Sequence, residues 1–178
     1  MKHNLIGISG KAGSGKNTVA SFLQSIDNSF VQKAFAAKLK QIASILTGIP
    51  VNMFEDQEFK KTSLGEQWGD ITVRDLLQQI ATECMRDCIH PDIWVNALFA
   101  DYTDQCWLVT DVRFPNEYKA IKDRGGIILR IERPGSGANN HVSETALDNH
   151  QFDYVIYNDG DVPSLFKQVL TFYETIIM

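Results

Sequence analysis

Residues 7–23 read GISGKAGSGKNTVASFL. Gly10, four residues, then Gly15 and Lys16 is the spacing of a loop that wraps a chain of phosphates. Glycines at 10, 13 and 15 permit a tight turn, and such a turn aims several backbone N–H groups into one space. The apolar run at 5–9 reads as a buried strand before the loop, and residues 16 to about 26 as the helix after it. The positive end of that helix adds to the anion site, and Lys16 is long enough to reach the outer phosphates. One position departs from the usual pattern. Where such loops carry a Ser or Thr that helps to hold magnesium, this chain has Asn17. An amide carbonyl is a neutral oxygen donor with a longer reach, suited to the ion directly or through water. Thr18 is turned a further ~100° around the helix and is placed to bond an inner phosphate.

Working outward from the loop, strands alternate with helices. Residues 30–34 read as a second strand, and 36–47 as a helix with Leu39, Ile42, Ala43 and Leu46 on one face, stopped by Gly48 and Pro50. Residues 51–70 are polar without clear period and read as an excursion over a site. A continuous apolar stripe from Val73 through Ile80 to Cys88 marks the next helix, with Thr72 and Asp75 as a capping pair. Pro91 opens a helix to about Tyr102. Residues 106–109 and 127–131 are strands, with a helix from 115 to 124 between them. A polar loop from 133 to 150 follows, then a strand at 154–157 and a helix from 162 to 177. This alternation predicts an α/β fold in which helices cover both sides of a parallel sheet. Ligands of such sheets sit beyond the carboxyl ends of the strands, where the glycine loop, Asp111, Arg113 and Arg133 all fall. Asp111 ends the run WLVTD and is the natural second metal partner beside Asn17; as an alternative it caps the turn before Pro115. Arg113 faces the same crevice and can clamp a phosphate in a bidentate way.

Composition bounds the partners. The chain has 178 residues, 44% hydrophobic and 22% charged, which suits one globular domain. A net charge of −5 argues against a nucleic-acid polymer as partner. No apolar run reaches the ~20 residues of a membrane span, and the start MKHNLIGISG lacks the features of a signal peptide. A cytoplasmic location is expected. Three cysteines suit reduced thiols; Cys84 and Cys88 could share a metal at helical spacing, but buried small side chains are the better reading.

Taken in order, SGKAGSGKNTVA, FAAKLK, TVRDLLQQIATE, WLVTDVRFPNE and HVSE resemble the bacteriophage deoxynucleoside monophosphate kinases, a group of P-loop kinases similar in layout to dephospho-coenzyme A kinase. The resemblance runs from about residue 5 to 166. It implies a three-layer sandwich with NMP-binding and lid excursions, at about 36–102 and 133–150 of a single kinase domain. It also implies transfer of the γ-phosphoryl of ATP, with Mg2+, to a deoxynucleoside monophosphate. ATP would contact Lys11, Ala12, Gly13, Ser14, Gly15, Lys16, Asn17 and Thr18. In FDYVIYNDGD, Asn158 and Gly160 resemble a loop around the nucleotide base. Lys38, Arg74 and Gln78 would hold the acceptor, and Asn116 and Glu117 would line the crevice with Asp111 and Arg113. Arg130 or Arg133, at the edge of the lid, would close on the transferring group. The family often has an acid after the loop lysine, GKDT, where this chain has GKNT. If phage-encoded, the protein works in the host cytoplasm, and dimers are common in the class.

Each residue has a structural alternative. Lys38 and Lys40 could be solvated, Arg74 could pair with Asp70 or Gln78, and Glu117 could be an acid favoured at a helix start. Trp68 and Trp94 could stack on a base, though large aromatics are more often core. His141, Ser143 and Glu144 are spaced for lid contacts and not for a hydrolytic trio. Two other functions remain open on sequence: a kinase of dephospho-coenzyme A or phosphomevalonate, and a nucleotide-gated binding protein without an acceptor.

Overall fold

A computed structural model describes residues 3–103, 105–137 and 142–177. The chain divides into two compact units, Met1–Ala34 with Asp101–Met178, and Phe35–Ala100.

The first unit is built on five strands: β1 (Leu5–Ser9), β2 (Phe30–Lys33), β3 (Cys106–Val112), β4 (Ile127–Glu132) and β5 (Tyr154–Tyr157). They lie in the order β2-β3-β1-β4-β5, and every pairing is parallel. β1 is central and buried along its whole length, which is why its sequence reads as an unbroken apolar run. Helix α1 (Lys16–Ile26) and the later helix Val162–Phe172 cover one face. Their Val19, Leu23, Val169 and Phe172 pack on Ile6, Ile8, Leu129 and Ile131 of the sheet. On the other face lies the helix Pro115–Lys122, whose Ile121 comes so close to β1 that a Cβ on Gly7 would be 2.7 Å from its Cδ1. Helices on both faces of a parallel sheet make the three layers expected from the alternation. Because β1 connects toward β2 and β3 connects across it to β4, the chain reverses direction beside β1. The carboxyl end of β1 is therefore the crevice of the sheet.

In the second unit, α2 (Ala37–Thr47) is followed by three short 3₁₀ turns at Val51–Glu55, Phe59–Lys61 and Glu66–Trp68. Then come α3 (Val73–Gln78), a π-helix (Gln79–Asp87) and α4 (Ile93–Phe99). The remaining helices of the chain are α5 (Pro115–Lys122), α6 (Val142–Thr145) and α7 (Val162–Phe172), the last continued by a π turn to Ile177.

Two expectations change here. The apolar stripe from Val73 to Cys88 is not one α-helix: the backbone shifts to i→i+5 bonding after Gln78. Each wider turn rotates later residues off the stripe, so Val73, Leu76 and Ile80 are buried while Cys84 and Cys88 are exposed. They are surface thiols, not small core groups. On α2, only Leu39 and Ala43 of the predicted face are buried, and Leu46 is 55% exposed.

Candidate active site

The loop between β1 and α1 is fixed by what its carbonyls meet. Lys16 curls back and donates from Nζ to the carbonyls of Gly10 at 2.7 Å and Lys11 at 2.8 Å. The Gly137 amide donates to Ala12 O at 3.1 Å, and the Arg133 guanidinium to Gly13 O at 3.3 Å. The Asn158 side-chain amide donates to Ser14 O at 2.9 Å. A planar trans peptide points its N–H opposite to its C=O. Holding these carbonyls therefore sets the direction of the amides that follow them. Ser14 N–H closes a turn onto Lys11 O. Among the described residues no acceptor is recorded for the amides of Gly13 and Gly15 or for the first amides of α1, which suits them to a ligand. Gly15 has φ 101°, a conformation costly for any side chain.

Ala12 N–H already has an acceptor within the chain, the Glu144 carboxylate of α6 at 2.6 Å. The other oxygen of that carboxylate pairs with Arg113. Glu144 is buried, so a carboxylate bridges the phosphate loop and a guanidinium, two groups that also suit a phosphate. Lys16 is buried too. Burial first, then the Arg113 charge, lowers its ammonium from the ordinary 10.5 to about 8; Glu144 and Asp111 pull the other way, and Arg130 adds a smaller push down. Lys16, Arg113, Arg130 and Asp111 thus share one electrostatic neighbourhood at the end of β1. Cationic groups crowded enough to depress a lysine, beside amides without acceptors, fit a polyphosphate.

The structure brings the loop residues Lys11 to Thr18 to this crevice with Asp111, Arg113, Arg133 and Asn158. Asn17 and Thr18 are exposed on the first turn of α1. Arg133 is exposed and reaches the loop itself. Lys11 pairs with Asp148 at 3.5 Å.

Two predicted residues, Arg130 and Glu117, are engaged by other parts of the chain. Arg130 is not on a lid: it points from β4, 5% exposed, to Ser9 Oγ, Glu132 and Asp148, each at 3.2 Å. It is a strut under the loop, acting on Lys16 through its field. Glu117 is 2% exposed and accepts from the amides of Arg113 and Phe114 at 2.8 and 3.1 Å. It caps α5 and fixes the backbone of Arg113 and does not line a crevice. Asn116 Oδ1 accepts from the Glu117 amide. Gly160 is exposed, just ahead of Asp161, which caps α7.

Within the second unit, Lys38 donates to Ala97 O at 2.6 Å, and Arg74 reaches Gln57 at 3.4 Å instead of Asp70 or Gln78. Gln78 is half-buried at the end of α3. Trp94 offers no ring face: it is 4% exposed, and its indole N–H donates to Ala81 O in the π-helix. It is core. His141 lies outside the described residues. Glu144, expected only to make lid contacts, is the residue whose importance the sequence understated; the one signal was its place in HVSE after a polar loop. Asp148 and Ser9 gave no signal at all.

Residues 47–169 match the family described as deoxynucleotide monophosphate kinase. A protein of Acanthamoeba polyphaga mimivirus, provisionally named deoxynucleotide monophosphate kinase, is 30% identical over 94% of this chain and 94% of its own length. The chain belongs to the deoxynucleotide monophosphate kinase family. Membership makes it a phosphotransferase, and the kinase family implies ATP as the phosphoryl donor. The deoxynucleotide monophosphate kinase of Enterobacteria phage T4 is 29% identical over 60% of this chain and 46% of that one. A dephospho-CoA kinase from Campylobacter jejuni superimposes with a TM-score of 0.54 over 98% of this chain and 97% of that one. At 12% identity that likeness shows the P-loop kinase fold alone, as the sequence led one to expect. Among the described residues no helix is long and apolar enough to cross a membrane.

Proposed function

We propose that this chain transfers the γ-phosphoryl group of ATP to a deoxynucleoside 5′-monophosphate, giving ADP and the deoxynucleoside diphosphate. The observation that carries the reading is the loop at the end of β1: amides turned inward and backed by Lys16, Arg113 and Arg130. An oxygen of the acceptor phosphate attacks the γ-phosphorus in line, and the bond to the β-γ bridging oxygen breaks. The acceptor is an anion already, so no side chain has to remove a proton. Catalysis is then positioning and charge neutralisation. The loop amides hold the inner phosphates. Lys16 and Arg113 face the charge that spreads over the transferring group, and Arg133, tethered to Gly13 O, lies at the loop's rim. Asn17 and Asp111 would hold a magnesium ion, which supplies further neutralisation of the outer phosphates. Lys38, Arg74 and Gln78, all in the unit Phe35–Ala100, would receive the acceptor. The segment 133–150 would serve as lid. Such a reaction draws on cytoplasmic nucleotide pools, and we place the protein there.

A coupled ADP-release assay across the deoxynucleoside monophosphates, with dephospho-coenzyme A and phosphomevalonate alongside, tests this. Release stimulated by a deoxynucleoside monophosphate is expected. Stimulation by one of the other two acceptors alone would transfer the protein to their class, and release indifferent to every acceptor would make it a nucleotide-gated binder.

A further inference from the structure

We infer that Asn158 is a positioning residue for the triphosphate and not a reader of the nucleotide base. The inference rests on the kinase reading above and adds to it a residue that shapes the phosphate site from behind. Asn158 follows β5, and its own amide donates to Glu132 O at 2.7 Å, continuing the pairing of β4 with β5 past the end of the strand. Its backbone is thus fixed by the sheet. From there the side-chain amide donates to Ser14 O at 2.9 Å, across 144 residues of sequence. One peptide plane joins that carbonyl to the Gly15 amide, and in a planar peptide the two point apart. Drawing Ser14 O toward Asn158 therefore turns Gly15 N–H into the loop, where a phosphate oxygen accepts it.

The packing supports the same pairing. A Cβ on Gly15 would lie 2.6 Å from Asn158 Nδ2 and nothing else of the chain outside its immediate neighbours would come as close. The loop and the Asn158 amide are fitted to each other. Gly15 at φ 101° has wide conformational freedom, so without an outside partner the 14–15 peptide is free to rotate and its donor is lost for part of the time. One N–H of the Asn158 amide is held by the Ser14 carbonyl, and this bond ties the side chain to the loop.

Gly15 N–H meets the phosphates equally before and during transfer, so loss of its alignment acts on binding more than on turnover. The test compares ATP with inorganic tripolyphosphate, which has the phosphates and no base. Binding of each to wild type, Asn158→Ala and Asn158→Asp is measured by calorimetry, with KM and kcat from ADP release and unfolding temperatures as a check on the fold. For Asn158→Ala, affinity for ATP and for tripolyphosphate should fall by the same factor, about five- to tenfold for one hydrogen bond. KM for ATP should rise by that factor while kcat and the acceptor KM stay within about twofold of wild type. Asn158→Asp keeps the shape but cannot donate, and its charge repels the phosphates, so it should lose more than the alanine variant. If ATP binding falls while tripolyphosphate binding does not, Asn158 reads the base and the inference is wrong. Unchanged binding of both ligands in folded variants would equally overturn it. If wild type binds neither ligand, the kinase reading itself fails.

Discussion

Lys16 brings a charge into a site that is both buried and crowded with other cations, and its ammonium is lowered to about 8 as a result. In the unfolded chain the same group has its ordinary value of 10.5. Between about 8 and 10.5 the unfolded chain holds the proton more tightly, so this residue makes stability rise with pH across that window, and below it the full penalty stands. ATP reverses the preference, because the triphosphate needs the ammonium. The ATP-induced rise in unfolding temperature should shrink as pH climbs past 8, and in Lys16→Met it should be small at every pH. A thermal-shift titration in ATP at several pH values reads this directly. Lys16→Ala should lower kcat/KM at least roughly 100-fold with the circular dichroism of the fold unchanged. Asn17→Asp adds a charged oxygen to the proposed metal shell. It should lower the magnesium concentration for half-maximal rate roughly tenfold and leave the order of preferred acceptors as it was. A magnesium titration identical to wild type would remove Asn17 from that shell.

At the scale of elements, the strands were legible because a buried parallel strand must be apolar on both faces, and LIGIS, WLV and IIL are. The start of α3 was legible because its cap is local: the Thr72 hydroxyl accepts from Asp75 N–H, and the Asp75 carboxylate accepts from Thr72 N–H. Thr72 holds the Asp75 carboxyl below its usual range, so the stability that the carboxylate half of this cap contributes is present above the ordinary carboxylate value and is lost as pH falls through the lowered one. Thr72→Ala should cost about 1 kcal/mol, read by urea unfolding, and the difference from wild type should narrow in acid without vanishing, because the bond from Asp75 N–H to the Thr72 hydroxyl needs no charge. The π-helix was not legible. Its residues fit an α-helical stripe as well as a π one, and the bond from the Trp94 indole N–H to Ala81 O within it joins residues 13 positions apart, which no local pattern announces. Trp94 itself was ambiguous for the same reason, since a tryptophan looks alike in sequence whether its ring meets a base or a core. Leu23, fully buried between α1 and the sheet, should cost about 3 kcal/mol as Leu23→Ala.

For the whole molecule, the fold follows from the order of motifs, and the roles of its charged residues do not. The family resemblance assigns Glu117 and Asn158 to the substrates, and Arg130 to the edge of a lid. Glu117 turns to the amides of its near neighbours Arg113 and Phe114, but Arg130 and Asn158 have partners far along the chain: Arg130 with Ser9 and Asp148, Asn158 with Ser14. Such pairings leave no trace in local spacing. On the proposed function, the two units answer to different ligands. An ATP analogue alone should slow amide exchange at residues 10–18 and 133–137, and a deoxynucleoside monophosphate alone should slow it within Phe35–Ala100. Protection of one stretch by both would refute that division of labour.

The tethers on the phosphate loop have a consequence for how the protein is made. Arg133, Glu144 and Asn158, which hold residues 10–18, are synthesised 120 to 144 positions after their partners. Until they are added, a growing chain carries the glycine signature without the bonds that shape the loop. On the proposed function, ATP binds a chain in which Asn158 holds the loop better than one in which it does not, so ATP favours the docking of β5 and α7 by mass action.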